Sequence, residues 1–395
     1  MHYKKDSKTG IDISVLGFGC MRFPKNLGSI DMKKTNALIM SAFEQGINYF
    51  DTARTYPGIE EALGTVAADN KIREKILIAS KLPTWLIKTP DDIEKIFSRT
   101  LEKLQTDYVD YYFMHMLSEM STWEKLKSFG IEEWIAGKKQ SGQIRRLGFS
   151  FHGVCDQFLT ILNDYDWDAT LIQYNYSDEN YQAGVTGLKA AHAKGIPVFI
   201  MEPLLGGRLI SELPKEVLAI FKKNHPDWSP AAWGLNWLWN QPEITMVLSG
   251  MNMQEQLDDN IRRAEKAQTN MLSAADTAAF AEIRRIFNES YKIKCTGCSY
   301  CLPCPHNVNI PGCFASYNAS FATSLRNGLW KYVQTVSFTA KSMRNAGRCV
   351  NCGKCEQHCP QNLPIRDGLK QVKKRLEPFW FWLPLKIMRV MLRLS

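Results

Sequence analysis

Short apolar runs recur along the first two-thirds of the chain, each closed by a polar residue or a glycine. Residues 15–19 form the first. Residues 47–51 end in a carboxylate, 76–81 in an ammonium and 108–115 in an imidazole. Runs at 146–150, 170–175, 197–201 and 244–249 complete a set of eight. Apolar runs of this length between turn signals read as strands buried on both faces. Between them, residues 33–45, 59–68, 91–105 and 122–139 place apolar side chains at helical spacing, and Gly46 is a C-terminal cap for the first. Strands alternating with helices predict a parallel sheet, and eight repeats predict an α/β fold closed as a (β/α)8 TIM barrel. An open doubly wound sheet is the alternative, but no Gly-x-Gly-x-x-Gly follows an early strand.

The chain has 395 residues, more than the about 250 such a barrel needs. We expect the barrel over 1–270, a helical bridge over 271–290 (helical by pattern from Ser273 to residue 287), and a smaller domain after it. Composition shifts there. Of 11 cysteines, nine lie in 295–359, crowding that argues for metal rather than a disulfide framework. Residues 291–395 carry 16 Lys and Arg against three acids, while the rest of the chain is slightly acidic. Such asymmetry points to an acidic protein partner or an anionic surface. No nucleic-acid-binding motif accompanies the bases, so nucleic acid is not expected. Met1-His2-Tyr3-Lys4-Lys5-Asp6 has no apolar run behind it, so a cytoplasmic location is expected.

Asp51, Tyr56, Lys81 and His115 lie at or just beyond three successive strand ends, where barrel residues read as catalytic. Reducing a carbonyl needs a hydride on one side and a proton for the developing alkoxide on the other. A tyrosine, with a free pKa near ~10, is a poor acid at neutral pH unless its phenolate is stabilised. An ammonium at Lys81 does that, and a carboxylate at Asp51 keeps Lys81 charged in a desolvating cleft. His115 can orient the substrate carbonyl through a hydrogen bond. In type, order and position these four resemble the catalytic tetrad of the aldo-keto reductases, over roughly residues 10–265. The resemblance implies a nicotinamide cofactor, NADP or NAD, and a small carbonyl or alcohol substrate. It places Ser150 and Gln173 on the carboxamide and Tyr174 against the ring. Ser249, Gly250, Asn252, Gln256 and Asn260 fall at the adenosine end. Many NADPH-specific members set Lys and Arg against the 2′-phosphate; here Gly250 and Gln256 stand there, with Arg262 and Arg263 nearby. After Ser150 comes Phe151-His152, not the Asn often seen.

Cys295-x2-Cys298-x2-Cys301-x2-Cys304-Pro305 is followed by Cys349-x2-Cys352-x2-Cys355-x3-Cys359-Pro360. The second run has the bacterial ferredoxin spacing, and the first is one residue tighter. Zinc is the rival, but zinc sites made of four cysteines are usually two C-x2-C pairs. The pattern implies two [4Fe-4S] clusters, each taking its fourth ligand from the other run: Cys295, Cys298 and Cys301 with Cys359, and Cys349, Cys352 and Cys355 with Cys304. Cys313 reads as a small buried residue. Residues 312–318 and 329–346 are helical in pattern, so 291–377 resembles a helical two-cluster ferredoxin domain.

The tail, 378–395, joins four consecutive aromatics to Lys386, Arg389 and Arg393 at helical spacing. It is too short and too charged to span a bilayer, and suits packing on the barrel, a peripheral membrane contact or a partner groove. The chain thus reads as an iron–sulfur oxidoreductase. A nicotinamide passes two electrons as hydride and a cubane takes one, so the clusters serve a partner or a second cofactor, or are structural; a flavin would bridge them, but no flavin motif is legible. A non-catalytic nucleotide-binding redox module is the rival class.

Overall fold

The computed structural model describes residues 1–26, 28–211, 213–336 and 343–378. Met1–Pro203 with Ser229–Ser273 make one compact unit; Leu204–Trp228 with the described residues from Ala274 onward make another.

In the first unit eight parallel strands close a barrel. They are β1 (Leu16–Gly19), β2 (Tyr49–Asp51), β3 (Leu77–Pro83), β4 (Tyr111–His115), β5 (Leu147–Phe151), β6 (Ala169–Gln173), β7 (Val198–Met201) and β8 (Met246–Ser249). β8 pairs back onto β1 at Leu248 and Gly17. All eight expected strands are present, with ends displaced by up to three residues. The two-residue side-chain period sorts them into rows. Tyr49, Ala79, Tyr111, Phe113, Ala169 and Leu171 pack together in the interior with Phe199, Met246 and Leu248. Asp51, Lys81, His115 and Gln173 continue those inward rows to the C-terminal rim. The expected TIM barrel therefore aims its polar strand ends at one mouth.

A hairpin that the apolar pattern did not announce, Tyr3–Lys5 with Asp12–Ser14, precedes β1. Its Ile13 joins the interior cluster. Asp6, 1% exposed, accepts hydrogen bonds from the Tyr111 hydroxyl and from the amides of Lys8 and Thr9, which closes the end opposite the mouth.

Two helical expectations need correction. The single helix over 122–139 is two, Met120–Ser128 and Ile131–Gln140, because Gly130 takes a left-handed φ of 75° between them. The helix over 329–346 is Leu325–Val336. Residues 343–345 are not helical and Ala346–Arg348 form a 3-10 turn. There the backbone donors are taken by side chains: Ala346 N donates to the Tyr332 hydroxyl and Gly347 N to Glu377. The basic aromatic tail expected over 378–395 lies outside the described residues beyond Pro378. No helix among the described residues is long and apolar enough to cross a membrane.

Gly148 in β5 has no room for a side chain. An added Cβ would stand 2.5 Å from Ala169 O and 2.6 Å from the Phe113 ring. Gly148→Ala should therefore lower stability by roughly 1–3 kcal/mol or more, read as a lower midpoint in thermal unfolding; an unchanged midpoint would contradict the packing described.

Candidate functional site

At the barrel mouth, Lys81 Nζ donates to Asp51 Oδ1 at 2.7 Å and Oδ2 at 2.6 Å, and to Thr52 O at 2.7 Å. The two side chains are 2% and 7% exposed. Three acceptors use the ammonium's three donors, which is what makes so buried a charge tolerable. Burial pushes the Asp51 carboxyl above the usual range, and Lys81 opposes the rise. Tyr56 sits on the loop after β2, where its amide donates to Ala53 O at 2.9 Å. Its ring centroid is 5.4 Å from Lys81 Nζ. The Tyr56 and His115 rings meet edge-on, 6.4 Å apart at 87°. The four residues expected to act together surround one spot.

His115 is held neutral. Burial pushes its pKa well below the usual value, and the Lys81 charge and His152 push it further the same way. A neutral imidazole can donate a hydrogen bond without being an acid. Trp85 packs 5.1 Å from its ring.

The expected cofactor residues are less uniform. Gln173 closes β6 at 5% exposure, and its Oε1 has no hydrogen-bond partner. Such an atom fits the carboxamide N–H2 of a nicotinamide. Tyr174 is buried against Trp237, centroids 5.1 Å apart. Ser150 has a different engagement: its Oγ accepts from Met116 N at 2.9 Å, and its carbonyl accepts from Leu117 N at 2.9 Å. Met116 follows His115 with a left-handed φ of 55°, and these two bonds hold that turn. After β8, Asn260 donates to Ser249 Oγ at 3.1 Å, and Asn252 N donates to Gln256 Oε1 at 3.0 Å. Both bonds brace the loop itself. Gly250 is uncrowded, with nothing nearer than 3.6 Å to a built Cβ. Arg262 is paired with Asp259 at 3.1 Å.

His152 was not assigned a role from sequence. It is 8% exposed, pushed down to about 4 by burial, and linked to Gln182. Its effect on His115 places a second neutral imidazole at the same mouth. The signal was available: His152 lies two residues past Ser150, just beyond the end of β5.

In the second unit, Cys295, Cys298, Cys301 and Cys359 line one small, partly open pocket, walled by Ile310, Phe314 and Ile365. Burial and the other three thiols together push Cys301 upward. Cys355 is pushed up to about 11 by burial, Glu356, Cys349 and Cys304. Cys301 thus has Cys359 of the other run as a neighbour, and Cys355 has Cys304. The first set surrounds a space. The two runs repeat in backbone as well as in cysteine. Gly297 and Asn351, Ser299 and Gly353, and Asn307 and Asn362 are matching positions, and all have positive φ. Helices start six residues after the last cysteine of each, at Ile310 and Ile365.

Each run is also entered from a pinned residue. Asn318, 1% exposed, accepts from Ile293 N at 3.0 Å and donates to Ile293 O at 2.7 Å, two residues before Cys295. Glu377 accepts from Gly347 N at 2.9 Å, two residues before Cys349, and from Asn345 and Tyr332. Neither anchor was legible in the sequence. Cys313, 0% exposed, is buried as expected.

Residues 15–284 match the model of the aldo/keto reductase family. The chain belongs to that family. Residues 294–363 match a 4Fe-4S dicluster domain. Among curated relatives, the L-galactose dehydrogenase of Arabidopsis thaliana is 25% identical over 285 residues, 64% of this chain and 85% of the relative. The L-glyceraldehyde 3-phosphate reductase of Escherichia coli (strain K12) is 22% identical over 309 residues, 66% and 87%. The aldo-keto reductase AKR11C1 from Bacillus halodurans (holo form) shares the fold with a TM-score of 0.59 at 22% identity, covering 72% of this chain and 96% of that one. The protein is an oxidoreductase of the aldo-keto reductase type, a family that acts on small carbonyl and alcohol substrates, with an iron–sulfur domain after the barrel.

The buried His115 and His152 have lowered pKa values, so the unfolded chain binds their protons first. Stability should fall as pH drops below about 6.5, by at most about 1.4 kcal/mol per pH unit for each histidine, and for His152 the loss ends near pH 4. His152→Asn should flatten that slope in urea unfolding between pH 7.5 and 5, and an equal slope would contradict its burial as a neutral base. Cys313→Ala should retain the iron that Cys355→Ala loses in part, as measured by iron analysis of anaerobically prepared protein.

Proposed function

We propose that the barrel interconverts a small carbonyl compound and its alcohol with NADP or NAD, and that Tyr56 is the proton donor in the reductive direction. The observation that carries this reading is the Lys81–Asp51 ion pair beside Tyr56 and His115. Lys81 brings a fixed positive charge near the Tyr56 ring, where negative charge develops as the phenol gives up its proton. Asp51 keeps that charge in place. His115, neutral and held by its turn, donates to the substrate oxygen and sets it against Tyr56. Trp85 and the buried ring of His152 restrict water.

A bound nicotinamide supplies the hydride. Gln173 and Tyr174 would hold its ring end, and the loop carrying Ser249, Gly250 and Asn252 its adenosine end, with Gln256 and Asn260 bracing that loop. Ser150 acts on the turn after His115 as well as lying near the expected carboxamide. The sugar-directed names of two relatives, L-galactose dehydrogenase and L-glyceraldehyde 3-phosphate reductase, support a small hydroxylated aldehyde or its alcohol as substrate.

In the second unit, the crossed neighbourhoods of the thiols support two [4Fe-4S] clusters, one on Cys295, Cys298, Cys301 and Cys359, the other on Cys349, Cys352, Cys355 and Cys304. Such clusters supply one-electron chemistry, and we assign them to exchange with a partner.

Tyr56→Phe should cut NADPH-dependent glyceraldehyde reduction by about 10²-fold or more while nucleotide affinity, measured by fluorescence titration, stays within about twofold. Retained activity would end the assignment of Tyr56. Protein prepared without oxygen should contain about eight iron and eight sulfide; zinc without sulfide would refute the cluster assignment.

A further inference from the structure

The two cysteine sets differ in access. Cys295 is buried, and its set lines a cavity with apolar walls. In the other set Cys352 is exposed, and Val350, two residues earlier, is 57% exposed. Cations surround that loop. Arg348 and Lys354 flank it in sequence and both are exposed. Arg348 Nε donates to His306 O at 3.0 Å, which fixes its stem. The Arg366 guanidinium lies 3.8 Å from where a Cβ on Gly353 would stand. Lys370 follows one turn later on the same helix. The local acids are already engaged: Glu356 by Arg366 and Asp367 by Lys370, each at 2.8 Å. Among the described residues no acidic side chain pairs with Arg348 or Lys354. The positive charge is not used up by the clusters either. Residues 291–395 hold 16 Lys and Arg against three acids, whereas two oxidised cubanes with four thiolates each would bring only about −4.

We propose that the face around Cys352 is the docking surface for an acidic, single-electron carrier protein, with Val350 at its centre, Arg348 and Lys354 as its cations without an acidic partner, and Arg366 and Lys370, ion-paired to Glu356 and Asp367, at its edge. The proposal rests on the reading of Cys349, Cys352, Cys355 and Cys304 as ligands of one [4Fe-4S] cluster. An exposed ligand is where a partner's redox centre comes nearest to the cluster. A small apolar centre with a charged rim suits the small, transient interfaces of electron-transfer pairs, and the rim steers an acidic partner to them. A lone valine offers little to insert into a bilayer. A cluster held by Cys349, Cys352, Cys355 and Cys304 would supply one-electron chemistry at this face: it would gain the one electron that the reduced carrier gives up, with no bond made or broken and no proton exchanged.

The test uses the full-length, anaerobically prepared protein and, as probe, a small acidic plant-type [2Fe-2S] ferredoxin. Stopped-flow absorbance gives the second-order rate of electron transfer from the reduced ferredoxin as sodium chloride is raised. Microcalorimetry gives the Kd for the oxidised ferredoxin. Arg348→Glu with Lys354→Glu should lower the rate at low salt by tenfold or more, raise the Kd at least fivefold and flatten the salt dependence, with iron content unchanged. Lys370→Glu lies off the cysteine loop and should give a smaller loss of the same kind, so the test survives if the double variant loses its cluster. Unchanged rates and Kd in iron-replete variants, or a wild-type rate indifferent to salt, would overturn the docking surface alone. Wild-type protein without iron and sulfide would overturn it together with the reading of the cysteines. Binding to phosphatidylserine vesicles that these variants abolish, with ferredoxin rates intact, would overturn it in favour of a membrane.

Discussion

Lys81 carries its charge at 2% exposure with both Asp51 oxygens and a backbone carbonyl within 2.7 Å. Two charges taken that far out of water are stable only while they face each other; removing one partner typically costs about 3–5 kcal/mol because the other is left uncompensated. The rest of the mouth depends on this pair. It ties the end of β2 to β3. It places a cation near the Tyr56 ring, and its field is one of the causes that keep His115 neutral. A hydrophobic replacement would remove the charge on which the proposed proton transfer from Tyr56 rests. The barrel's inward rows of aromatic and aliphatic side chains beneath the pair give it a rigid, dry floor.

The second unit answers a different constraint. A cluster with volume needs thiols spaced around a cavity, on loops that turn sharply. The repeated positive-φ residues, Gly297 with Asn351 and Ser299 with Gly353, supply those turns in both runs. Glycine or a small polar residue stands at each, the types that tolerate the left-handed region. Asn318 and Glu377 then fix where each run begins. Both are buried polar groups with hydrogen-bond partners, Asn318 on the backbone of Ile293 and Glu377 on Gly347 N and the Asn345 and Tyr332 side chains, and so they specify position rather than add bulk to the core.

Much of this was legible along the chain. Strand ends carrying Asp51, Lys81 and His115 could be read because a buried parallel strand is an apolar run and its polar terminus interrupts it. The cysteine spacing could be read because short C-x2-C loops have few uses. What was not legible depends on tertiary contacts. Ser150 looked like a ligand-facing hydroxyl, yet it holds the Met116 turn, a partner 34 positions away. Glu377 looked like one of three scattered acids in a basic segment, and its role follows from Gly347, 30 positions back. The break at Gly130 was hidden because apolar spacing continues on both sides of it. The hairpin before β1 is too short and too polar to show a period.

Deuterium transfer tests the central claim most directly. The holoprotein would be incubated with glyceraldehyde and, in turn, NADPH and NADH deuterated at nicotinamide C4, and the alcohol product examined by mass spectrometry and NMR. The account predicts deuterium bonded to the former carbonyl carbon with at least one of the two nucleotides, and none when Lys81 is replaced by Met. Product that forms without deuterium, or equal transfer by the Lys81→Met protein, would contradict it.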